Sequence, residues 1–264
     1  MQPDAKRIVE EGYDRIAHLH AEWAARVRSE ERARYLAAFC ARVPAGASVL
    51  ELGCGAGGAV TDALAARYHL TAIDLSRRAI EAARLRTPLA RFLHEDMTGA
   101  DFPAASFAGI VGFYSILHVP REEQAALLSR IASWLQVGGL FMAALGTADE
   151  ARSYEDNWLG VRWSGVHTTP RQRAAWCGPQ ASRSRARWSS PRMKMARRCR
   201  SFGSSREGPA RRSTPIAAPC FEPELVPAVT ANHTHGRNSR GVESRLLLLR
   251  RPIHGQLWKR FSRR

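Results

Sequence analysis

The sequence has few cysteines, and their spacing is not that of a metal site or a disulfide framework. Five cysteines occur in 264 residues, and no two of them form a CxxC pair, which argues against a zinc site or a disulfide scaffold. No apolar run approaches the ~18 residues of a membrane span, and the N-terminus lacks the apolar core of a signal peptide. We therefore expect a cytoplasmic protein without a membrane segment or a metal site.

Acidic residues are scarce in the C-terminal part of the chain. Residues 1–161 contain 17 Lys and Arg against 20 Asp and Glu, whereas residues 162–264 contain 23 against 4. The formal net charge of +16 therefore arises wholly from the C-terminal part. One interpretation is an Arg-rich segment that binds RNA or another polyanion through phosphate contacts.

A glycine-rich turn follows the first strand-like segment. Residues 49–58 read VLELGCGAGG, with three apolar residues before Gly53, and a helix-like pattern begins at Ala59. A strand, a glycine turn and a helix form the first unit of a nucleotide-binding α/β sheet. Glycine suits such a turn because it reaches backbone angles closed to other residues and lets a ligand approach the backbone.

Strand-like and helix-like segments alternate along the first part of the chain. The strand-like segments lie at residues 49–52, 70–74, 90–96, 107–113 and 140–145. Short, nearly continuous apolar strands that alternate with helices predict a Rossmann-like, doubly wound and mostly parallel α/β sheet with helices on both faces. Residues 3–42 predict a helical segment before the sheet, and residues 149–161 predict a loop or short helix that contains Trp158.

Three acidic residues fall at or near the carboxyl ends of predicted strands, where ligands bind in such sheets. Glu51 lies two residues before Gly53, Asp74 closes the second strand and Asp96 closes the third. Asp74 suits the hydroxyls of a ribose, and Asp96 with Met97 could hold and flank an adenine. Glu51 places negative charge beside the turn, which favours a ligand ammonium over a pyrophosphate.

Together these segments resemble class I S-adenosylmethionine-dependent methyltransferases that act on small molecules. The matching segments are VLELGCGAGG, TAIDLS, FLHEDM, FYSILHV and LQVGGLF, in this order. YDRIA, near the N-terminus, is similar to the lid segment that precedes the fold in many members. The resemblance covers about residues 8–161. It implies S-adenosylmethionine as the cofactor and a small-molecule methyl acceptor as the partner, with neither nucleic acid nor a membrane expected.

The resemblance also implies the residues of the cofactor site. Those around the methionine part are Glu51, Gly53, Cys54 and Gly55. Those around the ribose and adenine are Asp74, Leu75, Asp96 and Met97. Those that form the floor and the cover are Phe113, Tyr114, His118 and Tyr13. Direct displacement at the sulfonium methyl depends mainly on alignment and needs a general base only if the acceptor is protonated, so no catalytic residue is assigned.

Several of these residues also have purely structural interpretations. His118 could be a packed floor residue rather than a base, Met97 could belong to the core, and Tyr13 could be ordinary helix packing. Glu122 and Glu123 fit the acidic first turn of a helix that begins near residue 120. These alternatives stay open at the level of the sequence.

A different cofactor class also fits the glycine turn. Gly53, Gly55 and Gly58 satisfy the dinucleotide fingerprint GxGxxG, and Asp74 suits that interpretation equally. An NAD(P)-dependent oxidoreductase is therefore the alternative enzyme. Glu51 inside the first strand, a second acid at the end of the third strand and the long helical segment before the sheet argue against it.

The regular pattern ends near residue 161. We predict a methyltransferase domain over residues 1–161 and an irregular Arg-, Ser- and Pro-rich tail over residues 162–264 that is disordered or non-native. The tail has 21 Arg and 2 Lys, a bias expected when GC-rich DNA is read in an unintended frame. Residues 162–208, reread in a shifted frame, resemble the last helix and strands of the family, so we hypothesise a frameshift near residue 161.

The frameshift hypothesis has a structural consequence. The family's sheet has the strand order 3-2-1-4-5-7-6, so a chain without its last strands leaves strand five with an exposed edge. The apolar residues 246–249 could pair with that edge, which is the less favoured alternative.

Overall fold

The computed structural model describes residues 4–146, 149–168, 222–223 and 244–251. Its helices are α1 (Ala5–Arg26), α2 (Ser29–Cys40), α3 (Ala59–Ala65), α4 (Arg77–Arg86) and α5 (Arg121–Trp134), with one 3₁₀ turn at Ile116–His118. Its strands are β1 (Ser48–Leu52), β2 (His69–Asp74), β3 (Arg91–His94), β4 (Phe107–Phe113), β5 (Leu135–Gly146), β6 (Glu150–Trp158), β7 (Val161–His167), β8 (Glu222–Pro223) and β9 (Ser244–Arg250). Among these helices, none combines the length and the hydropathy needed to cross a membrane.

Seven strands form one sheet in the order β3-β2-β1-β4-β5-β9-β8. β1 pairs in parallel with β2 on one side and with β4 on the other, and β3 and β5 extend the parallel set. The order of winding reverses between β1 and β4, which creates a crevice at the carboxyl ends of these strands. The predicted Rossmann-like, doubly wound sheet is confirmed.

Apolar side chains fill both faces of the sheet. Leu50 and Leu52 of β1 are fully buried in the cluster that includes α5, whereas Val49 is buried in the other cluster with Phe39 of α2. Because successive side chains of a strand alternate between faces, Glu51 shares the face of Val49. The packing of β1 therefore places a carboxylate in a nearly buried position at the crevice.

The far edge of β5 is covered, so the expectation of an exposed edge is wrong. β9 pairs antiparallel with residues 140–146 of β5, and β8 pairs with β9. Leu248 and Leu249 are 3% and 1% exposed and join the clusters on opposite faces. Consecutive leucines suit a strand buried on both faces, but they lack the alternation that marks a strand locally. The prediction that the sheet lacks its last strands is therefore also wrong.

Residues 150–167 form a hairpin, whereas the sequence predicted a loop or short helix over residues 149–161 and an irregular tail from residue 162. β6 and β7 are antiparallel, and the residues between them, Leu159 and Gly160, have φ angles of 50° and 84°. Positive φ at both central residues is the type I′ geometry of two-residue hairpin loops. β6 contains four charged residues in nine, so it lacks the alternation of apolar and polar residues that would have predicted a strand. β7 begins at residue 161, the predicted end of the methyltransferase domain, and continues into the predicted tail. Most of that tail lies outside the described residues.

The helical segment predicted for residues 3–42 consists of two helices. Arg28 separates them with a φ of 56°. α1 lies against α4, where Oδ1 of Asp14 accepts hydrogen bonds from the Ser76 hydroxyl (2.6 Å) and the Arg78 amide (3.1 Å). Ser76 also caps α4 by accepting from the Ala79 amide (3.1 Å). These contacts hold α1 beside the carboxyl end of β2.

Candidate active site

The glycine turn is hydrogen-bonded to the end of β2. The Gly53 amide donates to the Ile73 carbonyl (2.8 Å), and the Gly55 amide donates to Oδ2 of Asp74 (2.8 Å). Oδ1 of Asp74 accepts from the Ser76 amide (2.9 Å). Burial raises the pKa of Asp74, and these two amides oppose the shift. The structure thus brings together the turn and the half-buried carboxylate that the sequence assigns to ribose hydroxyls.

Gly53 occupies a position that no larger residue fits. Its φ is 73°, and a Cβ on this residue would lie 2.3 Å from Cβ of Ser115. The Ser115 hydroxyl donates to the Leu52 carbonyl (2.6 Å) and ties the end of β1 to the segment after β4. Packing between two strand ends therefore requires glycine here, independently of any ligand.

Glu51 is a buried carboxylate with an unsatisfied oxygen. The residue is 6% exposed, and Oε2 has no hydrogen-bond partner among the described residues. Burial, with Asp74 and Asp62 adding to it, raises the pKa of Glu51 to about 7, while a bond from Thr61 opposes the shift. A buried acceptor without a donor costs about 1–3 kcal/mol. Glu51 is therefore suited to a cationic ligand group beside the turn.

Cys54 is a structural member of the turn. It is 8% exposed, and burial raises the pKa of its thiol well above the ordinary value. The thiol is therefore neutral and a weak nucleophile.

Asp96 is linked to the N-terminal helix. Oδ2 of Asp96 accepts from Lys6 Nζ (2.9 Å), and Oδ1 accepts from the Thr98 amide (2.8 Å). Burial favours a higher pKa for Asp96, but the bonds from Lys6 and Thr98 outweigh it and the pKa lies below its ordinary value. Lys6 also donates to Glu123 (2.5 Å). Glu123, expected only to supply charge to the first turn of α5, thus also helps to hold α1.

The remaining residues assigned to the adenine side and the floor lie at strand ends. Leu75 follows β2, and its carbonyl lies 2.9 Å from Nε2 of His94. Met97 follows β3 and packs against the core, in line with the alternative that it is a core residue. Phe113 ends β4 and packs near Tyr35, with 5.8 Å between ring centroids. All three therefore adjoin the crevice, and Met97 and Phe113 also contribute to packing.

Tyr13 and His118 form a hydrogen-bonded pair at the crevice. Nδ1 of His118 lies 2.7 Å from the Ser164 carbonyl, to which it donates, and Nε2 then accepts from the Tyr13 hydroxyl at 2.9 Å. The carbonyl fixes the tautomer, because it can only accept a hydrogen bond. Burial raises the pKa of Tyr13, which stays neutral. Nε2 is therefore the basic nitrogen of His118, and in this structure its lone pair is taken by the Tyr13 hydroxyl.

Aromatic side chains from α1 and the β6–β7 hairpin cover this pair. Tyr13, His20 and Trp23 lie on one face of α1, and Trp158 and Trp163 come from the hairpin. Ring centroids in this cluster are 4.9 Å apart for Tyr13 and His20, and 5.5 Å for Trp23 and Trp158. Burial, then the charges of nearby residues, lowers the pKa of His20 to about 4, so its ring is neutral.

Sequence reasoning missed most of this cluster. It assigned Tyr13 to the site but not His20, Trp23 or Trp163. The spacing of Tyr13, His20 and Trp23 (i, i+7 and i+10) could have indicated the cluster, because it places three aromatic side chains on one face of the first helix. The hairpin residues gave no such signal, because their strands were not predicted.

Tyr114 lies under two arginines at the corner between α1 and α2. Its φ is 63°, and the guanidinium carbons of Arg28 and Arg32 lie 5.1 and 4.9 Å from the ring centroid. Burial, with Glu31 adding to it, raises the pKa of Tyr114. The structure places Tyr114 directly after β4, where two arginines that the sequence did not reveal as its neighbours lie over its ring.

Part of the chain matches a known protein family. Residues 49–139 match a family model described as a methyltransferase domain. No curated protein sequence matches the chain.

Solved methyltransferase structures share the fold. The N-methyltransferase NodS from Bradyrhizobium japonicum, solved with S-adenosylhomocysteine, has a TM-score of 0.59 at 15% identity. The aligned region covers 95% of this chain and 100% of the NodS chain. Magnesium protoporphyrin IX methyltransferase from Synechocystis, solved with S-adenosylmethionine, has a TM-score of 0.58 at 13% identity over 95% and 98%. The 1,6-didemethyltoxoflavin-N1-methyltransferase from Burkholderia thailandensis has a TM-score of 0.56 at 16% identity over 94% and 88%. Residues 49–139 therefore resemble a methyltransferase domain, and the chain shares its fold with solved S-adenosylmethionine-dependent methyltransferases.

Proposed function

We propose that this protein transfers the methyl group of S-adenosylmethionine to a small-molecule acceptor bound between α1 and the β6–β7 hairpin. The observation that carries the proposal is the buried Glu51, whose Oε2 lacks a donor at the edge of the glycine turn. An ammonium group supplies that donor and compensates the charge of the carboxylate. A dinucleotide pyrophosphate would instead meet like charge at this point.

The described residues fit the cofactor in three parts. Glu51 would hold the ammonium of its methionine part, with the backbone of Gly53 and Gly55 alongside. Asp74 would accept hydrogen bonds from the ribose hydroxyls, since each of its oxygens keeps a lone pair beyond the amide bond it accepts. Asp96 would address the adenine. When bound, S-adenosylmethionine supplies an activated methyl group on a sulfonium.

The chain's contribution to the reaction is alignment and proton acceptance. α1 is held by Asp14 and Lys6, so the cluster that it carries is fixed over the strand ends. Alignment of reacting groups can contribute ~7–11 kcal/mol. For an acceptor that loses a proton, Nε2 of His118 would serve as the base once the acceptor replaces the Tyr13 hydroxyl as its hydrogen-bond partner, because Nδ1 is committed to the Ser164 carbonyl.

Two observations support a small acceptor. Tyr13, Trp158 and Trp163 pack together over the floor, with ring centroids 5.8 Å apart for the first two and 6.4 Å for the two tryptophans, so the described residues cover the site at this point. The Burkholderia and Synechocystis proteins are described as methyltransferases of a toxoflavin precursor and of magnesium protoporphyrin IX. These are small molecules, in line with the proposal.

Calorimetric titration with S-adenosylmethionine and NADH tests the proposal. We expect S-adenosylmethionine to bind and NADH not to bind. Asp74→Ala and Glu51→Ala should each weaken binding about 10- to 100-fold, the value of a hydrogen bond to a charged group. Asp101→Ala is the matched control, because its side chain is 95% exposed. Binding of NADH alone would favour the oxidoreductase alternative, and unchanged affinity in both site variants would refute the assignment of the pocket.

A further inference from the structure

The imidazole of His20 lies over the open side of the glycine turn. Nδ1 and Cε1 of its ring are 3.8 and 3.9 Å from the point that a Cβ on Gly55 would occupy. Apart from the turn's own residues next to Gly55, no other described residue reaches within 4 Å of this point. A ligand that passes over Gly55 on this side therefore meets the Nδ1 edge of His20.

Aromatic contacts hold the His20 ring in place. Its centroid lies 4.9 Å from that of Tyr13, 5.7 Å from that of Trp158 and 5.9 Å from that of Trp23. The Tyr13 hydroxyl is engaged with His118 and does not bond to His20. Within the ranges that the structure describes, neither ring nitrogen of His20 forms a hydrogen bond. The half-buried imidazole therefore has both nitrogens available to a ligand.

The backbone of the glycine turn offers few donors to an anion. Four of its amides already donate to acceptors of the chain, at 2.8–3.2 Å. These amides belong to Gly53, Cys54, Gly55 and Gly57. Glycine-rich loops that bind phosphate do so through amides that point at the ligand. An anionic group beside this turn therefore needs a donor from a side chain.

Hydrogen bonds fix α1 beside the turn and so fix the position of His20. Oδ1 of Asp14 accepts from the Ser76 hydroxyl (2.6 Å), and the Ser76 amide donates to Oδ1 of Asp74 (2.9 Å). Oδ2 of Asp74 accepts from the Gly55 amide (2.8 Å). One connected set of bonds therefore joins α1, the end of β2 and the residue over which His20 lies.

We propose that His20 binds the carboxylate of the methionine part of S-adenosylmethionine through its Nδ1–H. This inference rests on the proposed function, because it assigns a further residue to the same cofactor site. Glu51 would hold the ammonium group, so two side chains from distant parts of the chain would recognise the two opposite charges of an amino acid.

The chemistry of the His20 ring suits this role. Burial lowers its pKa to about 4, so the ring is neutral and has one N–H donor. No described partner fixes its tautomer, so the proton can reside on Nδ1. A hydrogen bond to a carboxylate is stronger than one between neutral groups, which makes a single donor effective at this position.

Two ligands that differ only in the carboxylate test the proposal. They are S-adenosylhomocysteine and the analogue in which hydrogen replaces its carboxyl group, each titrated by calorimetry into the full chain. We expect S-adenosylhomocysteine to bind about tenfold or more tightly than the analogue. His20→Phe keeps an aromatic ring without a donor and should remove this preference.

Two further variants distinguish a donor from mere packing. His18→Phe, two residues earlier on the same helix at an exposed position, is the matched control and should keep the full preference. His20→Asn keeps an N–H donor close to the place of Nδ1 and should show an intermediate preference. A packing role alone would not separate His20→Asn from His20→Phe in this ratio of affinities.

Equal binding of the two ligands to the unaltered chain overturns the inference, as does a preference that survives in His20→Phe. If His20→Phe folds poorly, NMR spectra of the unaltered chain with isotope-labelled histidine replace it. S-adenosylhomocysteine should then shift an imidazole nitrogen signal that the analogue leaves in place, and identical responses to both ligands would overturn the inference. Failure of S-adenosylhomocysteine to bind at all would refute the proposed function, whereas its binding without a carboxylate preference would refute the role of His20 alone.

Discussion

Tyr13 and His118 are 105 residues apart in the chain, yet the hydroxyl of the first lies 2.9 Å from Nε2 of the second. The pair joins the N-terminal helix to the segment after β4. Nδ1 of the same imidazole bonds to the Ser164 carbonyl of the hairpin. One imidazole therefore links the floor of the site to both elements that cover it.

Removal of either partner should loosen this link. We expect Tyr13→Phe and His118→Asn each to lower the free energy of unfolding by about 1 kcal/mol, the usual net value of one hydrogen bond. The double variant should lose less than the sum, with a coupling of about 0.5–1.5 kcal/mol in urea unfolding. Tyr154→Phe, on the half-exposed side of the hairpin, is the control with little effect. Strict additivity of the two changes would show that the pair is not coupled.

Glu51 should make the free energy of unfolding depend on pH. Its pKa is about 7 in the folded chain and near the ordinary 4.5 after unfolding. Between these values the folded state holds a proton that the unfolded state has lost, so the free energy of unfolding falls as the pH rises through this window. Glu51→Gln should remove that dependence and stabilise the ligand-free chain by about 1–3 kcal/mol at pH 8.

Ligand binding should respond to Glu51 in the opposite direction. The carboxylate form binds an ammonium, so the affinity for S-adenosylmethionine should rise from pH 6 to pH 8 and fall about tenfold or more in Glu51→Gln. Urea unfolding and calorimetry at both pH values measure the two effects. Glu81→Gln, on the exposed face of α4, should change neither. A variant that is less stable at pH 8 and binds normally would contradict the role of Glu51.

Lys6 should contribute more to stability than its neighbour Arg7. The Lys6 ammonium contacts Asp96 and Glu123 with its side chain 26% exposed, whereas Arg7 pairs with Glu11 at 75% exposure. We expect Lys6→Met to cost about 1 kcal/mol and Arg7→Met almost nothing. Because Asp96 has a lowered pKa, its contribution is present above its unfolded pKa and is lost as the pH falls through its folded pKa. Equal costs of the two substitutions in urea unfolding would refute this difference.

Two glycines with the same φ should respond differently to alanine. Gly53 and Gly46 have φ angles of 73° and 74°, but only at Gly53 would a Cβ clash, 2.3 Å from Ser115. Gly46→Ala should cost about 1 kcal/mol for the left-handed backbone alone. Gly53→Ala should cost about 2–3 kcal/mol more because strand ends must separate. Thermal unfolding of both variants measures the difference, and similar losses would contradict the packing of the turn.

The closing strand should be needed for a stable sheet. Leu249 is 1% exposed on β9, so Leu249→Ala should cost about 2–5 kcal/mol by transfer and cavity terms. Leu85→Ala, at a side chain that is 88% exposed, is the control with almost no cost. A loss below about 0.5 kcal/mol for Leu249→Ala would show that β9 is not part of the stable sheet.

The frameshift hypothesis stays a prediction. The pairing of β9 with β5 shows that part of the region in question has a place in the fold. Sequencing of the gene decides the matter, because codons for residues 162–208 that yield no sensible protein when shifted by one base would refute the hypothesis.

The sequence by itself determined the central sheet and the position of its ligand-binding end. Continuous apolar strands, a glycine turn and acids at strand ends are local patterns, and they predict that Gly55 and Asp74 lie at the same edge because parallel strands align their carboxyl ends. The order of the first five strands was implied by the resemblance to the family instead. The sequence also indicated that the turn needs a glycine at position 53. It did not indicate that Ser115 is the neighbour that excludes a side chain there.

Only the tertiary structure decided what covers the site and the sheet edge. β6 is rich in charged residues and lacks apolar alternation, so nothing local indicated that Trp158 meets Tyr13 and His20 of α1. The pairing of β9 with β5 joins residues about a hundred positions apart, and a run of leucines does not specify its partner. The position of two guanidinium groups over Tyr114 also depends on where the corner between α1 and α2 places Arg28 and Arg32. Contacts of this kind arise from long-range packing, which local periodicity does not encode.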